Sequence, residues 1–175
     1  MQHFPIFLDL ADRRVVIAGN GEVALAKLRL LLKTVARITV FASEPEADLL
    51  ETIGAHGVTL ERREATAEDL TGAALAYAAH GEAEADARFA RAARTAGVLL
   101  NAVDNLEASD FITPAIVDRD PVTVAIGTEG ASPVLARSIK TDLEERLPQG
   151  LGALARAGKL FRARAEALPS GRARR

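Results

Sequence analysis

The chain has 175 residues, 49% of them hydrophobic but only 4% aromatic, with 22 basic against 24 acidic side chains and no cysteine. At about 100–200 residues per domain, this is one principal domain with a small appendage, packed mainly by Ala, Val, Leu and Ile. Disulfides and thiolate metal sites are excluded, no run approaches the roughly 18 apolar residues of a membrane span, and Met1 to Leu10 lack the pattern of a signal peptide, so a cytoplasmic protein with no membrane and no nucleic-acid partner is expected.

Arg14 to Ala18 (RVVIA) is a short, β-branched apolar run of the kind that forms a buried parallel strand. Gly19-Asn20-Gly21 follows, and then Val23, Ala24, Lys27, Leu28, Leu31 and Leu32 recur at helical spacing. Ile38 to Phe41 reads as a second strand, and Pro45 to Ala55 as a helix ended by Gly54 or Gly57. A third strand is expected at Val58 to Leu60 and a fourth at Leu75 to Ala79. Glu82 to Thr95 reads as a helix stopped by Gly97, and Val98 to Val103 as a fifth strand. Strand and helix alternate, which predicts an α/β fold with a parallel sheet covered on both faces.

Beyond Asp104 the pattern changes. Thr113 to Val117 and Val122 to Thr128 flank Asp118-Arg119-Asp120-Pro121 and predict a hairpin, with Val122, Val124 and Ile126 on one face. Ser132-Pro133 has the chemistry of a helix N-cap and first turn, for a helix running to about Leu147. A last helix is expected from about Leu151 to Leu168, before a disordered Pro-Ser-Gly-Arg end. From Leu151 onward, seven basic residues face one acid, Glu166, which gives that stretch +6 and leaves −8 on the first 150 residues. Such a tail suits an anionic partner; the competing and commoner reading is a solvated helix face and a frayed end.

Gly19-x-Gly21-x-x-Ala24 lies between a predicted strand and a predicted helix. The first Gly permits the tight turn, the second lets backbone approach a pyrophosphate, and the small third residue lets helix and strand pack closely. The helix N-terminus offers free N–H groups and the positive end of its dipole. This is the pattern of dinucleotide binding; the competing reading is a tight βα turn without ligand. The acidic residue expected at the end of strand two, to hold the ribose, is missing, and Ser43 or Glu44 stands nearest. No Arg follows that strand to receive a 2′-phosphate, which favours NAD over NADP.

Asp104 falls at the carboxyl end of strand five, where open α/β sheets bind ligands. A carboxylate there can take a proton while hydride leaves for a nicotinamide, or it can simply cap the next turn, Asn105 to Ser109. His80, after strand four, can face the cofactor or be an ordinary loop residue. No metal-ligand spacing is found.

Several stretches together resemble the precorrin-2 dehydrogenase and sirohydrochlorin ferrochelatase module of the siroheme synthase family. They are His3-Phe-Pro-Ile-Phe-Leu-Asp-Leu10, Gly19-Asn-Gly-Glu-Val-Ala24 with Lys27, Asn101-Ala-Val-Asp104, Ser109-Asp-Phe-Ile-Thr-Pro-Ala-Ile-Val-Asp-Arg119 and Glu129-Gly-Ala-Ser-Pro-Val-Leu-Ala-Arg137. They span about the first 150 residues, and the Ser132–Arg137 tract is far more specific than the glycine turn.

The resemblance implies a Rossmann NAD-binding domain over 1–113, a dimerisation segment over 114–147 and a helical segment with a basic tail over 148–175, assembled as a homodimer. It implies NAD-dependent oxidation of precorrin-2 to sirohydrochlorin and, in many members, insertion of ferrous iron as a second substrate at the same site. The family's catalytic Asp matches Asp104, and its NAD contacts match Glu22, Val23, Ser43 and Glu44, beside Gly19, Gly21 and His80. The substrate is a polycarboxylate, so Arg119, Ser132, Arg137, Lys140 and the basic tail are candidate anchors. Departures are Thr128, where some members carry a phosphorylated Ser, and Ala79-His80-Gly81, where Thr-Asp-type residues are frequent. The methyltransferase domain often fused in the family has no counterpart, so uroporphyrinogen methylation is not expected. A dehydrogenase without chelatase activity, or a non-catalytic NAD-sensing module, shares the glycine turn; the sensing module has no need of the hairpin or the Ser132–Arg137 tract.

Overall fold

The computed structural model describes residues 1–166. The chain divides into two compact units, Met1–Ile112 and one that begins at Thr113. The expected Pro-Ser-Gly-Arg end and the last arginines of the basic tail lie outside the described residues.

The first unit is built on five parallel strands: β1 (Arg14–Ala18), β2 (Arg37–Phe41), β3 (Thr59–Glu61), β4 (Leu75–Ala78) and β5 (Leu99–Ala102), in the spatial order β3-β2-β1-β4-β5. Alternate residues of each strand point to opposite faces, and both faces are buried. Val15, Ile17, Val40 and Tyr77 pack with Ala24, Leu25 and Leu28 of α1 (Glu22–Leu31) and with Leu49 and Ile53 of α2 (Ala47–His56). Val16, Ala18, Phe41, Ala76 and Leu100 pack on the other face with Phe89, Ala90 and Ala93 of α4 (Ala83–Ala96). The alanine-rich inner side of α4 lets the helix lie close to the sheet, which is how a chain poor in aromatics achieves a dense core.

One element was not legible: α3 (Ala67–Leu70), a single turn closed by a capping box between Thr66 and Asp69. Four residues are too few to show periodicity, and the box uses Asp where Glu or Gln is usual.

Strand β5 is the edge of the sheet, and the Ser109-Asp110-Phe111 stretch covers it. The Leu100 amide donates to Asp110 Oδ2 at 2.9 Å, the Ala102 amide to Ser109 Oγ at 2.9 Å, and Asn101 Nδ2 to the Phe111 carbonyl at 2.9 Å. Side chains thus stand in for the missing sixth strand. This gives Asn101, Ser109 and Asp110, all within stretches that carry the resemblance, a structural task.

In the second unit, β6 (Ala115–Arg119) and β7 (Val122–Ile126) form an antiparallel hairpin with Val117 opposite Val124. Val122, Val124 and Ile126 are half-buried while Thr123 and Ala125 are exposed, in keeping with one covered face. Helix α5 (Pro133–Arg146) is capped by Ser132, whose Oγ accepts from the Leu135 amide at 3.2 Å, and α6 (Leu151–Glu166) follows. Arg119 ties the hairpin to the end of α5 by donating to the carbonyls of Asp118, Glu144 and Leu147. Arg156 of α6 holds the hairpin turn through the Asp120 carbonyl and carboxylate, at 2.8 and 3.0 Å.

Candidate active site

The β3-β2-β1-β4-β5 order reverses direction between β1 and β4, and the crevice outside the carboxyl ends of these two strands is where such sheets bind ligands. The glycine turn lies there. Gly19 has φ +152°, and a Cβ on it would overlap the Ala79 carbonyl oxygen and stand 2.5 Å from the carbonyl carbon. The close approach of the β1 turn to the end of β4 therefore depends on the missing side chain. Gly21 has no such backbone neighbour: a Cβ there would meet the flexible carboxylate of Glu46. Gly21 is also the N-cap of α1 and supplies no side-chain cap, so the first amides of the helix, from Glu22 and Val23 onward, are open to an anion.

Asn20, between the two glycines, clasps the loop after β2. Its Oδ1 accepts from the Glu44 amide at 3.2 Å and its carbonyl accepts from the Glu46 amide at 2.8 Å. This sets Ser43 at the rim of a cleft that is also lined by Asn20, Ala42, Arg63, His80 and Arg88. His80 Nδ1 lies 2.8 Å from Asp86 Oδ1 in the first turn of α4, and the same carboxylate oxygen accepts from the His80 amide at 3.0 Å. The structure thus brings Ser43 and His80 to one cleft beside the glycine turn. It also brings there a residue the sequence reading overlooked. No Arg stands directly after β2, but Arg63, after β3, reaches the cleft instead. The only hint in the sequence was the Arg62-Arg63 pair following the third strand.

Asp104 is exposed and stands just past β5, on the same edge of the sheet but not among the residues that line this cleft. It has φ +60°. The bonds Val103 N–H to the Ala78 carbonyl, 3.0 Å, and Asn105 N–H to the Ala102 carbonyl, 3.1 Å, hold the backbone on either side of it. The turn that follows is capped by Asn105, whose Oδ1 accepts from the Ala108 amide at 3.1 Å. The capping task that competed for Asp104 thus belongs to its neighbour. Half-buried Lys27 of α1 lies 5.8 Å from the centroid of the Tyr77 ring. Burial lowers its pKa from 10.5, and the negative charge of Asp104 opposes that shift, so the two groups feel each other electrostatically.

In the second unit the expected anchors separate. Arg119 and Ser132 are engaged in the ties described above. Arg137 is exposed on α5, and Lys140 lies 3.7 Å from Glu144. Among the described residues, no cluster of three or more metal-ligating side chains occurs.

A parallel sheet of this order, a bare helix N-terminus behind a glycine turn and a cleft at the strand ends define a dinucleotide-binding domain of the Rossmann class. Residues 6–115 match the family model described as putative NAD(P)-binding, and the chain belongs to that family. It is 44% identical to a siroheme synthase of Methylococcus capsulatus over 100% of this chain and 37% of that protein, and 48% identical to one of Chromobacterium violaceum over 93% and 34%. A third siroheme synthase, of Ectopseudomonas mendocina, is 42% identical over 96% and 36%. The chain therefore spans about a third of the length of these relatives. The solved structure of SirC, a precorrin-2 dehydrogenase, shares the fold with a TM-score of 0.74 at 24% identity, covering 97% of this chain and 84% of that one. Among the described residues, no helix is long and apolar enough to cross a membrane.

Proposed function

We propose that this chain is an NAD-dependent dehydrogenase that oxidises precorrin-2 to sirohydrochlorin, and that the same site then inserts ferrous iron to give siroheme. The observation that carries the reading is Asp104: an exposed carboxylate in a left-handed backbone conformation at the carboxyl end of β5, relieved of turn-capping by Asn105. The names of the relatives, siroheme synthase and precorrin-2 dehydrogenase, supply the substrate class.

The bare turn at Gly21 and the amides of Glu22 and Val23 suit a pyrophosphate, and we assign the adenosine ribose to Ser43, on the cleft, and to its neighbour Glu44. His80, after β4, would serve the nicotinamide half of the cofactor. Bound NAD supplies the hydride acceptor. Asp104 takes the proton that leaves the macrocycle with the hydride, so that precorrin-2 and NAD+ give sirohydrochlorin, NADH and one proton. For metal insertion the same carboxylate receives pyrrole N–H protons as iron enters, and the tetrapyrrole supplies the nitrogen ligands. Lys27, half-buried on α1, interacts electrostatically with Asp104 and puts a positive charge on the same side of the site. Since Arg119 is committed to carbonyl groups, we assign recognition of the substrate carboxylates chiefly to Arg137 and Lys140, with Ser132 ordering the start of α5.

Homodimerisation through 114–147 is part of the proposal. Val134, Leu135 and Ile139 of α5 are 75%, 52% and 37% exposed, an apolar stripe that a partner would cover. A cytoplasmic location is also part of the proposal.

The test is anaerobic precorrin-2 with NAD, followed as NADH formation, and then ferrous iron added to the same cuvette. Asp104→Asn should bind NAD as the wild type does and lose turnover by about 100-fold or more. Full activity in that variant refutes the assignment of the base. If sirohydrochlorin and ferrous iron, without NAD, form siroheme no faster than in buffer, the chelatase half of the proposal is wrong.

A further inference from the structure

The dinucleotide reading leaves open what seats the adenine, and the cleft beside Ser43 holds an unusual arrangement. The Arg63 guanidinium lies 5.1 Å from the centroid of the Phe41 ring, which is buried at the end of β2. Its two terminal nitrogens are bound in parallel by Asp69, Nη1 to Oδ2 at 2.6 Å and Nη2 to Oδ1 at 2.7 Å. Asp69 is itself fixed, since its Oδ2 accepts from the amide and hydroxyl of Thr66 in the capping box of α3. A side chain that normally has several free torsions is therefore immobilised as a flat plate at the mouth of the cleft, with about half of its surface (48%) open. The other arginine of the cleft, Arg88, is paired with Glu64 at 3.0 Å.

Resting on the dinucleotide reading, we propose that Arg63 is the adenine platform of this site and a determinant of its choice of NAD over NADP. A guanidinium plane stacks on a purine face, and holding the plane in place beforehand removes the entropy cost of ordering it on binding. The bidentate partner decides the rest. A 2′-phosphate on the adenosine ribose needs free N–H donors, and Asp69 already holds one N–H of each terminal nitrogen of Arg63, while Nη1 also donates to the Glu64 carbonyl at 3.2 Å. With Glu64 and Glu82 also lining the cleft, an added phosphate meets carboxylates and no unpaired arginine. The site thus keeps a cation for stacking and withholds it from the phosphate.

The experiment uses the full chain, with calorimetric titration of AMP, NAD and NADP into the wild type and into Arg63→Leu, Arg63→Lys and Asp69→Asn. Arg63→Lys retains a charge opposite Asp69, so it guards against a variant that fails to fold, which thermal melts monitor. Both Arg63 variants should bind AMP and NAD about tenfold more weakly, as expected for loss of one stacked base. In turnover, KM for NAD should rise while kcat stays unchanged. Asp69→Asn, by freeing the fork, should shift the ratio of NADP to NAD affinity toward NADP. Unchanged AMP affinity in folded Arg63 variants overturns the proposal while leaving wild-type NAD binding intact. A loss confined to NADP overturns it too, making Arg63 a phosphate ligand. A wild type that binds neither AMP nor NAD sinks the dinucleotide reading itself, and this proposal with it.

Discussion

The two glycines of the β1–α1 turn should fail in different ways when each is replaced by alanine. For Gly19→Ala, the backbone sits at φ +152°, where a non-glycine residue costs about 1–3 kcal/mol. The added methyl also runs into the Ala79 carbonyl, part of the rigid end of β4, and comes within 3.1 Å of Ala24 Cβ. Overpacking of that kind adds about 1–3 kcal/mol. Together these amount to about 2–6 kcal/mol, a large share of the roughly 5–15 kcal/mol that holds a domain folded. For Gly21→Ala, φ is −123°, an ordinary extended value, and the methyl meets only the movable end of Glu46. Its cost to folding should stay under about 1 kcal/mol. The loss there is in binding, because the methyl occupies the space a pyrophosphate needs against the backbone. The chain contains no Trp, so urea unfolding is best followed by circular dichroism, with NAD titrated into each folded variant. Equal stability of the two variants, or undiminished NAD affinity in Gly21→Ala, would refute the division of labour drawn here.

Three further outcomes are expected. Burial lowers the Lys27 pKa below 10.5, so the unfolded chain binds more protons than the folded one just below that pH, and the destabilising contribution of Lys27 is relieved as pH rises through the interval. Lys27→Met should therefore gain stability over the wild type at neutral pH, and the gain should shrink toward pH 10.5; a gain independent of pH counts against the assignment. The hydrogen bonds from Arg63, above all, hold the Asp69 carboxyl far below its ordinary 3.8, so the stabilisation they give is present above that value and fades as pH falls below it. Asp69→Asn should flatten this acid limb in a dichroism-monitored pH titration. A Cβ on Gly152 of α6 would overlap the Asp120 carbonyl oxygen, so Gly152→Ala should lower the stability of the second unit by about 1–3 kcal/mol, while the first unit keeps its own transition in limited proteolysis.

Much of this molecule was legible in one dimension. The parallel sheet, the glycine turn, the hairpin and the Ser132 cap all follow from local rules: apolar runs bury as strands, period-3.6 patterns bury one helix face, and Ser-Pro opens a helix. Asp104 could be placed at a strand end for the same reason. What its carboxylate was free to do could not, because Asn and Asp stand side by side and either can cap the turn. The folded chain gave that task to Asn105. In the same way, the sequence shows Arg119 and Arg137 as equivalent charges, while the tertiary structure spends one on the carbonyls at the end of α5 and leaves the other exposed. The Arg63 plate was illegible because its stacking partner, Phe41 of β2, lies 22 residues before it, and the short α3 that carries Asp69 showed no periodicity. Hydrogen bonding and stacking across such separations are settled by the order in which strands pair, and local sequence carries no record of that order.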